Sequence, residues 1–101
     1  MATKALSDAE IQAQLSNFSG WERDGDSLVK VFQLDSYLAG IALASTIGTL
    51  AEGINHHPEL LITWRKVTVR MNTHDAGNKI SKWDFKLVEA IEALPYPRDK
   101  A

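Results

Sequence analysis

Pro58 divides this chain more sharply than any other residue. It stands in the stretch GINHHPELL, residues 53–61. Proline lacks a backbone N–H and its ring clashes with the preceding helical turn, so a helix cannot run on through it. It also pushes His57, the residue before it, towards extended backbone. A helix must therefore end, and an extended segment begin, inside this stretch. Upstream, residues 36 to 54 are compatible with a helix, with Asp35 as the expected cap and Gly53 with Asn55 as the stop signal. Leu38, Ile41, Ala42, Ser45 and Thr49 fall on one side of that helix, where small side chains would let it lie close to a sheet. Downstream, LLITW and KVTVRMN read as a hairpin. Val67, Val69 and Met71 alternate with Thr68, Arg70 and Asn72 at a period of two.

The flanking segments repeat this logic. LSDAEI opens a first helix: Ser7 caps, Glu10 completes a capping box, and Leu6 can staple to Ile11. Ile11, Leu15 and Phe18 form its apolar stripe, and Gly20 is expected to stop it. WERDGDSLVKVFQL reads as another hairpin, with its turn at Asp24, Gly25, Asp26 and Ser27. After the second hairpin, THDAGNK is a loop in which Gly77 supplies a turn with positive φ. A last helix opens at Ser81 with Asp84 as capping partner and Ile80 stapled to Phe85. Leu87, Val88, Ile91 and Leu94 make its buried stripe, and Pro95 ends the run. The element order is α-β-β-α-β-β-α. It predicts an α+β two-layer sandwich, a four-stranded antiparallel sheet with helices on one face. The helix between the hairpins leaves their order in the sheet open.

Composition narrows the function classes. The 101 residues fit one domain, and 45% of them are hydrophobic, enough for a thin core. A formal net charge of -2 with scattered basic residues offers no footprint for nucleic acid. The absence of cysteine removes disulfides and thiolate chemistry. The longest mostly apolar stretch, Tyr37 to Ala51, is broken by Gly, Ser and Thr and reads as too short and too polar for a membrane span. With no apolar signal core in MATKALSDAE, a cytoplasmic protein is expected.

The histidines hold the chemistry. Two of the three, His56 and His57, are adjacent, and the third, His74, follows the second hairpin. A hairpin brings its ends together, so NHHP and NTHD are expected to face one cleft. Glu52 lies four residues before His56 and shares its helix face if the last turn holds. Three readings fit. Three imidazoles with an open position could hold zinc, although neighbouring histidines on extended chain diverge and no HExxH spacing occurs. Two imidazoles on opposite sides of a flat substrate could act as acid and base. A histidine at a helix C-terminus can also simply complement the helix dipole. Asp84 reads as a cap rather than a catalyst, Trp64 as packing at a hairpin tip, and Trp21 and Trp83 as core or interface.

A longer pattern separates these readings. Glu52, three residues, His56, His57, Pro58, an aromatic at Trp64, nine residues, His74 and then Asp84 resemble the signature of the pterin-4a-carbinolamine dehydratases. THDAGNKIS..D is similar to that family's THxAGG(L/I)(T/S)xxD, and Gly20–Trp21 matches a GW after the first helix. Asn78 departs from the family's usual Gly, but Asn tolerates left-handed backbone. The resemblance implies a hydro-lyase that dehydrates 4a-hydroxytetrahydrobiopterin to quinonoid dihydropterin in tetrahydropterin recycling, with no cofactor and no metal. It implies proton transfer by His56 and His74, pterin binding with a share in catalysis by His57, and orientation of His56 by Glu52. Asn55, Asn72, Thr73 and Asp75 would bind the pterin ring beside the histidines. It also implies a homodimer or homotetramer. Two rival functions come with it: a dimerisation or coactivator-type binding module, and a dehydratase-like protein acting on a molybdopterin-related pterin.

Overall fold

The computed structural model describes residues 3–95. Ser7 caps helix α1 (Asp8–Leu15) through the expected box: its hydroxyl accepts from the Glu10 N–H at 3.1 Å, and the Glu10 carboxylate accepts from the Ser7 N–H at 2.8 Å. That backbone N–H holds the exposed Glu10 carboxyl below its ordinary range. The helix ends at Leu15, short of Gly20. The Ser16 hydroxyl donates to the Ala13 carbonyl at 2.6 Å, one of the local bonds by which Ser and Asn compete with a helix. Phe18 therefore lies beyond the helix, stacked against Phe85.

Strands β1 (Glu22–Asp24) and β2 (Ser27–Gln33) pair antiparallel, with Asp24 opposite Ser27. Only Gly25 and Asp26 form the turn, and Gly25 takes φ +60°. Helix α2 (Tyr37–Ile54) follows, then β3 (Glu59–Thr63), β4 (Lys66–Met71), a single 3-10 turn at His74–Ala76, and α3 (Lys82–Glu92). The four strands form one antiparallel sheet in the order β1-β2-β4-β3. The two hairpins thus meet through β2 and β4, in register from Leu28 opposite Met71 to Gln33 opposite Lys66. This settles the order that sequence pattern left open. Leu28 and Phe32 on β2, with Val67, Val69 and Met71 on β4, point into the core beneath the helices. Their neighbours along each strand face outward.

Helix α2 differs from expectation in two ways. Its cap is Ser36, whose hydroxyl accepts from the Ala39 N–H at 3.0 Å, rather than Asp35. Its buried face is Gly40, Leu43, Ala44, Ile47 and Ala51, while Leu38, Ala42, Ser45 and Thr49 are exposed. The helix is apolar on nearly every side, so periodicity does not select the inner face. Gly40 does: a Cβ there would lie 3.3 Å from Val67 Cγ2, so this is where helix and sheet approach closely. By length and composition the helix would also suffice to cross a membrane, with a mean hydropathy of 1.3, contrary to the sequence reading. In this fold it instead covers β3 and β4 and packs against α3.

The core face of β2 carries one cation. Lys30 is buried, its ammonium 3.0 Å from Glu92 on α3, 3.3 Å from the Ser19 carbonyl and over the Phe32 ring. Trp21 is core, as expected, and its indole N–H donates to the same Glu92 carboxylate at 3.0 Å. Trp64 is not packed: it sits 74% exposed in the β3–β4 turn beside Arg65.

Candidate active site

The site forms where α2 stops. Asn55 takes left-handed backbone (φ 52°, ψ 45°), a conformation that Asn adopts more readily than most residues. The chain turns back so that the His56 N–H donates to the Ala51 carbonyl at 3.0 Å. The two consecutive rings that follow differ sharply in exposure. The His56 ring turns inward, 11% exposed, and the His57 ring outward, 56% exposed.

Each ring meets a different carboxylate. His56 Nε2 lies 2.6 Å from Asp84 Oδ1, and His57 Nε2 lies 2.7 Å from Glu52 Oε1. The expected Glu52–His56 pairing is therefore wrong. Glu52 and His56 would share a face only if the helix ran on, but it ends at Ile54, and after the left-handed turn at Asn55 it is His57 that reaches Glu52. The partner of His56 comes from 28 residues further on.

Asp84 serves two structures at once. Its side chain is fully buried. Oδ2 accepts from the Ser81 N–H at 2.9 Å, which closes the capping box of α3, and from the Thr73 hydroxyl at 2.8 Å. With the Thr73 proton directed at Asp84, the Ser81 hydroxyl donates to Thr73 Oγ1, and its own oxygen accepts from the Trp83 N–H. The cap expected from sequence is present, and the same residue also fixes the His56 ring. An ionised carboxylate accepts only. His56 therefore donates from Nε2 and, when neutral, offers Nδ1 as a lone pair; His57, held by Glu52, does the same.

His74 opens the 3-10 turn, with Gly77 (φ 75°) and Asn78 (φ 60°) both left-handed. Asn in place of Gly at position 78 is thus accommodated. Its side chain also acts: the Asn78 carbonyl oxygen lies 3.1 Å from His74 Nδ1, so that nitrogen donates and Nε2 is left as an acceptor.

His56, His57 and His74 all line one cleft of about 520 Å³, together with Asn55, Asn72, Thr73 and Asp75. That volume suits a small organic ligand. Glu52 stands behind His57 and not in the cleft wall, and the Thr73 hydroxyl is engaged with Asp84. Three lining residues had no sequence signal: Ile54, Trp83, and Thr3, whose hydroxyl donates to Asp75 Oδ2 at 3.2 Å. The Leu6 N–H donates to the Ile80 carbonyl at 2.9 Å and carries the N-terminal segment to that wall. Among the described residues, no three His, Cys, Asp or Glu side chains are grouped so as to hold a metal ion. What the cleft offers is proton donors and acceptors around a space large enough to admit a bicyclic ring.

Comparison with known proteins agrees with the geometry. A family model described as Pterin 4 alpha carbinolamine dehydratase matches residues 4–94. A protein of Natronomonas pharaonis named "Putative pterin-4-alpha-carbinolamine dehydratase" is 51% identical over 89 residues, covering 88% of this chain and 94% of its own. A protein of the same name from Roseiflexus sp. is 46% identical over 94 residues, covering 93% and 99%. The crystal structure of a transcriptional coactivator/pterin dehydratase from Brucella Melitensis shares the fold, with a TM-score of 0.83 at 22% identity over 89% of this chain and 97% of that one. On the match of residues 4–94 to the family model and the identity to these relatives, the chain belongs to the pterin-4-alpha-carbinolamine dehydratase family.

Proposed function

We propose that this protein removes water from 4a-hydroxytetrahydrobiopterin, or a near relative, by histidine acid–base catalysis without a metal. Its place would be the cytoplasmic recycling of tetrahydropterin after an aromatic hydroxylase. The observation that carries the reading is the convergence of three imidazoles on one cleft, each with its ring turned by a partner: Asp84, Glu52 and Asn78.

The substrate is already activated. Its N5 lone pair can expel the hydroxyl from C4a, so the enzyme must protonate the leaving oxygen and remove the N5 hydrogen. The C4a–O bond breaks, C4a=N5 forms, and water and the quinonoid dihydropterin result. The hydrogen bonds favour a division of labour. His74 takes the N5 proton at Nε2, the nitrogen that Asn78 leaves bare. His56, backed by Asp84, supplies the proton to the hydroxyl. His57 orients the ring. Asn55, Asn72 and Asp75 face the pyrimidine edge, whose amide-like groups need both donors and acceptors. General acid–base groups of this kind contribute about 10²- to 10⁴-fold each.

Exposed Tyr37, Leu38, Leu61 and Trp64 support assembly of copies into a homodimer or homotetramer. Such exposed apolar residues would also serve a coactivator-type binding module, an alternative that the Brucella protein's name as a transcriptional coactivator raises. One experiment separates the two. Purified protein should accelerate loss of water from 4a-hydroxytetrahydrobiopterin, followed by ultraviolet absorbance beside a hydroxylase, with no change on adding a chelator. His74→Ala should remove about 10²- to 10⁴-fold of that acceleration without loss of fold. No acceleration by the intact protein, or its abolition by the chelator, refutes the reading.

A further inference from the structure

Outside the cleft, the core holds an ion pair that the chemistry above leaves unused. Lys30 stands on the inward face of β2 between Leu28 and Phe32, its side chain 8% exposed. Its ammonium lies 3.0 Å from Glu92 Oε2 at the end of α3, and the Trp21 indole N–H donates to that same oxygen, also at 3.0 Å. Gly20 makes room for this reach: a Cβ there would lie 2.9 Å from Lys30 Cε. Gly20 and Trp21 thus serve one contact, the first by clearing space and the second by sharing the acceptor. A buried ion pair is a poor source of stability, because desolvation of the two charges offsets their attraction. What it supplies is direction, since a hydrogen bond holds only over a narrow range of distance and angle.

Helix α3 needs that direction. Its inward face is Phe85, Leu87, Val88 and Ile91, and apolar burial is non-directional. Among the described residues, its side chains hydrogen-bond to the rest of the fold at two places, Asp84 and Glu92. These stand towards opposite ends of the helix, about 12 Å apart along its axis. The tolerance at Asp84 is small. His56 Nε2 is 2.6 Å from Oδ1, and about 1 Å of slippage brings the two to a separation at which no hydrogen bond remains. We propose that Lys30 and Glu92 are positioning residues for the His56–Asp84 pair: by fixing the far end of α3, they hold Asp84 where it orients the imidazole. This deepens the dehydratase reading above and rests on it for the effect on turnover, whereas the effect on the His56 ring needs no substrate.

The test removes the pin without removing volume. In Lys30→Met the core stays filled, and Glu92, 27% exposed, keeps the Trp21 N–H. Tm should stay within about 5 °C of wild type, because an apolar side chain in place of a buried charge is often close to neutral. Nitrogen NMR of the free protein should nevertheless show two His56 ring environments in place of one. Turnover of 4a-hydroxytetrahydrobiopterin should show kcat lowered about three- to tenfold with KM within about twofold, the pattern of a misplaced catalytic group. Glu92→Met leaves the Lys30 ammonium unpaired in the core; it should lower Tm by about 10 °C and give the same second His56 signal. A single His56 signal at the wild-type position in Lys30→Met overturns the proposal, whatever happens to Tm. Two signals with unchanged kcat overturn it as well, since the pair then orients nothing that turnover needs. Should Lys30→Met not fold, Glu92→Gln, which keeps the Trp21 bond and drops the charge, must show the second His56 signal, and its absence refutes the proposal. No turnover by the wild type overturns the dehydratase reading instead, and leaves the His56 signals to decide this one.

Discussion

Replacing Asp84 with Asn changes one atom and inverts the chemistry presented to the cleft. The wild-type carboxylate accepts three hydrogen bonds, from His56 Nε2 at 2.6 Å, Thr73 Oγ1 at 2.8 Å and the Ser81 N–H at 2.9 Å. The Ser81 N–H can only donate, so the amide oxygen of an Asn must stay where Oδ2 was. The amide nitrogen then faces His56 Nε2, and two N–H groups cannot bond to one another. The ring must move its proton to Nδ1, and the imidazolium form loses its support. In the cleft His56 becomes a fixed donor that cannot be recharged. Dehydration should slow by about 10²- to 10³-fold, the lower part of the range for a lost acid–base group. Stability should suffer less. Three bonds to a charged group become bonds to a neutral one, at about 1 kcal/mol each, so the cost is about 1–3 kcal/mol out of the roughly 5–15 typical of a domain. Asp84→Asn should therefore remain folded, with Tm lowered by a few degrees per kcal/mol. The assays are single-turnover absorbance and nitrogen NMR of the His56 ring. Wild type should carry the proton on Nε2 and the variant on Nδ1. A variant with the wild-type tautomer, or one within about threefold of wild-type rate, would refute the reasoning.

Three further changes test the supporting structure. Thr73→Val keeps the shape but strands the Ser81 hydroxyl and removes one donor from Asp84; it should cost about 1–3 kcal/mol in chemical denaturation, with a smaller rate loss than Asp84→Asn. Glu52→Gln weakens an exposed pair, so unfolding should shift by less than about 1 kcal/mol, while kcat/KM falls by under about tenfold as the His57 ring loses its anchor. At Asn55 (φ 52°), Val should cost about 1–2 kcal/mol by denaturant titration, whereas Gly should be nearly neutral.

How far the sequence reads into this fold differs from place to place. Caps and periods are local, and they identified the two capping boxes, both hairpins and the element order. The end of α1 was missed because Ser16 ends the helix through its hydroxyl before Gly20 is reached. The buried face of α2 was missed because an all-round apolar helix has no preferred side until Gly40 meets Val67. The same limit holds in the site. The convergence of His56, His57 and His74 was legible, since a hairpin must return to its origin. The partners of the first two were not. The left-handed turn at Asn55 reorders which ring reaches Glu52, and the reach of Asp84 to His56 depends on how α3 packs beside the end of α2. Asp84 was recognised as a cap from four residues of sequence; its second role needed the tertiary fold.

The central claim is that three imidazoles from two distant segments surround a single ring. Titrating the protein with an unreactive dihydropterin while recording the histidine ring signals by NMR tests it most directly. The account predicts that His56, His57 and His74 respond together, along one saturation curve, at one pterin per chain. Signals of His74 that stay unmoved while those of His56 and His57 shift would contradict it.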